Sequence, residues 1–294
     1  MACTAPINIV KNVKNSCDNK CNYSFLYPMT NLAIINKGKF IEFKCDPTPM
    51  QPVTFNAGKY NVQDFRIYSP SLHTYGGVAA EGELIITHID PTTGKHLLVC
   101  IPIKTGISIM GNAQLLDTLV DKISKDAAAK DGQTSINTST FTLNKMVPKK
   151  PFYSYKGSLL HAEAACTKQD VDYVVFKSED AIILSKASLT KLKKIIKPSG
   201  ITTKTNKGGL FYNKTGPGKA LGDGIYIECA PTGYSGETKV EQEPSVTDIN
   251  MGYYMKNILS NYFVTFLVGV ILMAIILKIG DKVFFGIFGQ KIST

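Results

Sequence analysis

The first three quarters of the chain is patterned in short blocks where apolar positions alternate with polar ones or run together for a few residues. Such blocks predict strands, because successive side chains of an extended chain point to opposite faces. They run from Asn31 to Phe43, Asn61 to Tyr68, Glu83 to Ile89, His96 to Ile103, Tyr173 to Phe176 and Ile225 to Cys229. Asp90-Pro-Thr-Thr-Gly94 has the composition of a tight turn and joins two of these blocks as a hairpin. Two segments switch to the helical period. Asn112 precedes Leu115, Leu116, Leu119, Val120 and Ile123, and a second helix carries Leu189, Leu192, Ile195 and Ile196 until Pro198-Ser-Gly200 stops it. An α+β domain, mainly β, is expected.

A different pattern takes over further on. Tyr262 to Leu277 is 16 residues without a charge, and Ile258 and Leu259 extend it toward the ~20 residues a helix needs to cross a bilayer. The run is apolar on every face, bracketed by Lys256 and Lys278, with Tyr253, Tyr254 and Tyr262 at one border. It predicts one transmembrane helix over residues 256–278, with a buried core helix as the alternative. Residues 233–255 are polar and lack periodicity, as a tether would be. Residues 279–294 form a tail whose Val283 to Phe288 suits a membrane interface. The globular domain is then residues 1–232.

Composition narrows the function classes. With 44% hydrophobic and 19% charged residues among 294, and no low-complexity tract, most of the chain can bury a core. Lys and Arg number 33 against 23 acids, a formal +10, so an anionic partner is admitted. Only Arg66 is an arginine, however, and compact lysine charges lack the planar fork that reads base edges, which argues against sequence-specific nucleic-acid binding. The seven cysteines are widely spaced with no C-x-x-C, so no zinc ribbon is indicated; Cys17 and Cys21 are either a bridge or two loop thiols. No apolar run follows the first nine residues, so no secretory signal is expected, and a reducing compartment with tail anchoring is the default.

Seven ordered landmarks give the chain a family resemblance. They are Thr4 to Ile9 (TAPINI), Ile35 to Phe43 (INKGKFIEF), Tyr60 to Tyr68 (YNVQDFRIY), His73-Thr74, Ala80 to His88 (AEGELIITH), Phe152 to Leu160 (FYSYKGSLL) and Ala181 to Lys194 (AIILSKASLTKLKK). In order and spacing the set resembles the α-carbonic anhydrases over about residues 4 to 230. The resemblance implies a large, antiparallel-dominated sheet with short surface helices.

It also implies a chemistry that can be checked position by position. The family holds Zn²⁺ with three histidines, two of them at i and i+2 on one strand, and leaves a fourth position open for water. The matching positions are Arg66 and Tyr68, with Ile85 for the third ligand. A guanidinium repels a dication and isoleucine has no lone pair, so a missing zinc centre, no cofactor and no catalysis are expected. Leu160 stands where the family orients its zinc-bound hydroxide with a threonine, and Lys39 where a histidine moves the proton. His73 and Glu83 match a pair that braces a ligand. Arg66 is read either as part of a cationic pocket for an anion or as a buried ion pair with Glu83 or Asp64. His161 is placed near the mouth of the old cavity. Lys191, Lys193, Lys194, Lys197, Lys204, Lys207, Lys214 and Lys219 make the most basic stretch, either a polyanion patch or a solvated surface.

A degenerate anhydrase domain, a polar tether and a terminal anchor are similar in layout to the cell-surface-binding envelope protein of poxviruses and to carbonic-anhydrase-like virion proteins of other large DNA viruses. That layout implies a non-catalytic virion protein whose partners are the lipid bilayer and other virion or capsid proteins. It would sit in the particle as a single-pass membrane protein. The alternative is host attachment through sulfated glycosaminoglycans, and a third reading is an active carbonic anhydrase. Asn22, Asn137 and Asn213 each lie in an N-x-Ser/Thr pattern.

Overall fold

The apolar blocks become strands, and a single 12-stranded sheet collects most of them. A computed structural model describes residues 3–17, 20–107, 112–136, 141–160, 170–205 and 209–218. Short strands come first: β1 (Asn8–Ile9), β2 (Tyr23–Phe25), β3 (Leu32–Asn36), β4 (Ile41–Cys45) and β5 (Val53–Phe55). Then come β6 (Gly58–Tyr68), β7 (Thr74–Tyr75), β8 (Val78–Ala79), β9 (Gly82–Ile89) and β10 (His96–Thr105). After helix α1 (Asn112–Asp126) follow β11 (Gln133–Ile136), β12 (Phe152–Gly157), β13 (Val171–Phe176) and β14 (Ile182–Leu184). Helix α2 (Lys186–Ile195) and β15 (Phe211–Asn213) complete the described elements.

The main sheet runs β11-β3-β4-β6-β9-β10-β13-β12-β15, and β14, β5 and β2 attach at its side. Its pairs are antiparallel except that β10 lies parallel to β13 and to β14, so the sheet is mixed. Two of the predicted blocks change shape. The stretch from Asn31 to Phe43 is a hairpin, because Gly38 takes φ +75 and lets the chain reverse between β3 and β4. Within β6 the register shifts between Val62 and Asp64. That bulge inserts one residue and reverses which parity faces which side. Tyr60 and Val62 pack with the same core as Phe65 and Ile67, leaving Asp64, Arg66 and Tyr68 together on the opposite face.

Each face of the sheet has its own core. One gathers Phe43, Phe65, Ile67, Leu84, Ile86, Val99 and Ile101 beneath Leu116, Leu119, Val120 and Ile123 of α1 and Leu189 and Leu192 of α2. Phe65 stacks on Phe43 at 4.4 Å and on Phe141 at 5.8 Å between ring centroids. Ser185 caps α2 by accepting from the Ser188 amide. The second core holds Tyr68, Leu72, Ile85, Leu98, Cys100, Tyr155, Leu160 and Tyr173.

Cys17 and Cys21 form a disulfide with Cα atoms 5.4 Å apart, which selects the bridge over two loop thiols. Asn213 is buried and donates to Cys21 O, so its side chain is unavailable to a glycosyltransferase in the folded domain. Asn22 is exposed. The chain divides into units Met1–Ile227 and Glu228–Thr294. Among the described residues no helix is long and apolar enough to cross a membrane. Ile225 to Cys229, Asn137, the tether and the stretch at 256–278 lie outside those residues.

Two measurements check this core. Phe65→Ala should lower unfolding free energy by about 3–5 kcal/mol in urea titrations, since it opens a cavity between two stacked rings. His88 is fully buried with Nε2 2.9 Å from Tyr27 Oη and Nδ1 3.1 Å from Leu97 O, and burial pushes its pKa down from 6.5 to about 4. A base with a lowered folded pKa is protonated first in the unfolded chain. Its contribution is therefore complete above about pH 6.5 and fades as the pH falls toward about 4. Between those limits wild type should lose roughly 3 kcal/mol more than His88→Gln.

Candidate functional site

The row of residues across the sheet at Arg66 sets the geometry of the candidate site. Glu42 on β4 is the cross-strand partner of Arg66, Ile85 on β9 is its partner on the other side, and Cys100 on β10 stands opposite Ile85. Tyr68 faces Glu83 one row along. The structure thus brings Arg66, Tyr68 and Ile85 onto one face of two adjacent strands.

Arg66 is neutralised from two sides. Its Nε donates to Asp64 Oδ1 at 3.0 Å and one Nη to Asp64 Oδ2 at 3.3 Å, while the same nitrogen lies 3.2 Å from Glu42 Oε1. The guanidinium also sits 4.8 Å from the centre of the Phe40 ring. Burial works against its charge, but Asp64 and Tyr68 outweigh that and hold its pKa above the ordinary value. Thr87 Oγ1 donates to Asp64 Oδ1 at 3.3 Å. Of the two partners expected from sequence, Asp64 or Glu83, the structure pairs Arg66 with Asp64. Glu42 is a second partner that the sequence did not announce, and Glu83 is committed elsewhere.

Glu83 is fully buried and accepts the amides of Leu72 and His73 at 2.8 and 3.0 Å on one oxygen. Its other oxygen accepts from His73 Nδ1 at 2.7 Å, and His73 Nε2 lies 2.8 Å from Tyr155 Oη. The imidazole thus bridges the carboxylate and the phenol. Tyr173 stacks on Tyr155 at 4.5 Å and donates to Ser158 O at 2.6 Å. The strand ends and the loop after β6 are held by this strut.

Neither group fits a zinc ion well. Arg66 offers no lone pair, Ile85 is buried aliphatic surface, and burial raises the Tyr68 phenol well above its ordinary pKa despite the nearby Arg66, so it is no ready phenolate. The donor atoms of His73, Glu83 and Cys100 come within 4.8 Å of one another. Both His73 nitrogens and both Glu83 oxygens already have partners, and burial and the Glu83 charge hold the Cys100 thiol protonated well above its ordinary range. A metal there would displace bonds that the fold uses. Leu160 lies in the same core, and Lys39 is exposed at the β3–β4 turn. His161 lies outside the described residues.

The described lysines of the basic stretch stand in different surroundings. Lys191 is paired with Asp121, and Lys193 is exposed on α2. Lys204 donates its main-chain amide to Pro6 O and its ammonium to Thr202 Oγ1, while Lys214 follows the edge strand β15. Lys207 and Lys219 lie outside the described residues. Lys194 and Lys197 instead turn toward a cavity of about 870 Å³, where they meet Lys37, Lys39, Phe40 and Lys130. Arg66 and Glu42 line the same cavity. Sequence reading missed Lys37, Lys130 and Glu42 as site residues; the one available signal was the Lys-Gly-Lys turn beside the already noted Lys39.

The fold has clear relatives. The α-carbonic anhydrase of Thermovibrio ammonificans superposes with a TM-score of 0.57 at 18% identity, covering 71% of this chain and 86% of that one. Carbonic anhydrase Cah3 of Chlamydomonas reinhardtii gives 0.57 at 18%, over 72% and 90% of the two chains. Dioscorin complexed with ascorbate gives 0.58 at 17%, over 72% and 86%. At these identities the likeness speaks for the fold alone. No curated protein sequence matches the chain. The model of the eukaryotic-type carbonic anhydrases does match, over residues 3–207, and the chain belongs to that family.

Proposed function

We propose that this protein is a non-catalytic member of its family, a membrane-anchored binding protein that links a viral membrane to an overlying protein shell. The observation that carries the reading is the Asp64–Arg66–Glu42 cluster beside Tyr68 and Ile85, where the family resemblance places three zinc-binding histidines. A cation neutralised by two carboxylates occupies the ground where a dication would stand. The uncharged run from Tyr262 to Leu277 supplies the anchor, and the polar residues 233–255 supply reach.

A second reading has its own observation in support. The domain captures sulfated glycans, and the lysines converging on the 870 Å³ cavity give it a place to do so. Cross-linking in a purified particle separates the two. Neighbouring shell proteins joined to the domain support the first, and a domain facing open solvent that binds heparin resin in a salt-sensitive way supports the second.

Two outcomes are expected for the catalytic question. Purified protein should carry zinc far below one equivalent by elemental analysis and should hydrate CO₂ no faster than buffer; stoichiometric zinc with activity would overturn the reading. Arg66→Met should cost about 3–5 kcal/mol of stability in denaturant titrations, because Asp64 and Glu42 are left buried without a counter-charge.

A further inference from the structure

Five lysines reach the cavity from three segments far apart in the chain. Lys37 and Lys39 come from the β3–β4 turn, Lys130 from the loop after α1, and Lys194 and Lys197 from the end of α2. A fully buried side chain, Asn36, gathers the three segments. Its Nδ2 donates to Ala128 O at 2.8 Å and to Ile195 O at 3.1 Å, and its Oδ1 accepts from the Gly38 amide at 2.8 Å. Its main chain donates to Gly132 O and accepts from the Asp131 amide. The Lys197 amide closes the ring by donating to Gly38 O at 2.7 Å.

The backbone positions of the five lysines are thus set by a satisfied polar hub, and their charges have little to balance them. The acids lining the cavity are Glu42 and Asp131. Glu42 is taken up by Arg66, and Asp131 lies 4.0 Å from Lys130 with both groups exposed. Lys194 and Lys197 at the C-terminal end of α2 are partly explained by the helix dipole. Lys37 and Lys39 lie in a strand turn away from it, and like charges fixed around one concavity raise the energy of the ligand-free protein. The cavity is of ligand size, and Phe40, Ile195 and Pro198 give it apolar surface.

We propose that this cleft binds a ring polyol bearing several sulfate or phosphate esters, with Lys37, Lys39, Lys130, Lys194 and Lys197 as the anion contacts and Asn36 as a positioning residue. The inference rests on the second reading above and deepens it by naming the class of ligand and the side chains that would hold it. Lysine ammonium groups hold oxyanions as point charges without selecting sulfate over phosphate, so both sources of the chemistry belong in the test.

Isothermal titration of the full-length protein in detergent, with inositol hexakisphosphate in one arm and a heparin-derived tetrasaccharide in the other, decides the matter. At least one arm should bind, with affinity falling as NaCl rises from about 50 to 200 mM. The double variant Lys39→Glu/Lys197→Glu, whose side chains are exposed, should weaken binding at least about tenfold while keeping the thermal midpoint. Lys193→Glu/Lys214→Glu, away from the cavity lining, should change it less than about threefold. Binding only to the inositol compound assigns a soluble polyphosphate, and binding only to the saccharide assigns a sulfated glycan. Loss in the second variant but not the first overturns the cleft while leaving the polyanion reading intact. Failure of wild type in both arms overturns both.

Discussion

The pairing of β6 with β9 governs what can occupy the centre of this domain. The bulge between Val62 and Asp64 reverses parity within β6, so one strand feeds the helix-covered core with Tyr60 and Val62 on one side of the bulge and with Phe65 and Ile67 on the other. Asp64, Arg66 and Tyr68 are thereby left on the opposite face, in register with Thr87, Ile85 and Glu83. A slip of one residue would bury a guanidinium among phenylalanines and turn Phe65 and Ile67 to the opposite face.

Given that register, the charges sort themselves into two separate systems. Glu83 lies where two main-chain amides and His73 converge, and those bonds saturate its oxygens. Arg66 must find its counter-charge elsewhere, and Asp64 two residues back on the same face and Glu42 across on β4 are within reach. A buried cation is tolerable only when paired and hydrogen-bonded, so the cluster is one unit rather than three separable side chains. The His73–Glu83–Tyr155 strut persists for a related reason: each of its atoms satisfies another in a place water does not reach.

Position in sequence is a poor guide to the electrostatics of the surface. Lys191, Lys204 and Lys214 belong to one basic stretch of the chain, yet the first pairs with an aspartate, the second with a threonine, and the third follows the last strand of the sheet. Lys37 and Lys130 are far from them in sequence and stand beside Lys194 and Lys197, because one asparagine amide bridges the ends of two helical segments and a hairpin turn.

Much was legible in the residues alone. Apolar period predicted β6, β9, β10 and both helices, since burial of one face is a local demand on spacing. The identities of Arg66, Tyr68 and Ile85 were enough to say that their donor set suits zinc badly, because that rests on lone pairs and charge. Tertiary structure alone decided the rest. The hairpin at Gly38, the parity switch in β6, the choice of Glu42 over Glu83 for Arg66 and the gathering of lysines by Asn36 all depend on which strand lies beside which. A side chain's partner is fixed by three-dimensional distance and by competing bonds, and a linear pattern records neither.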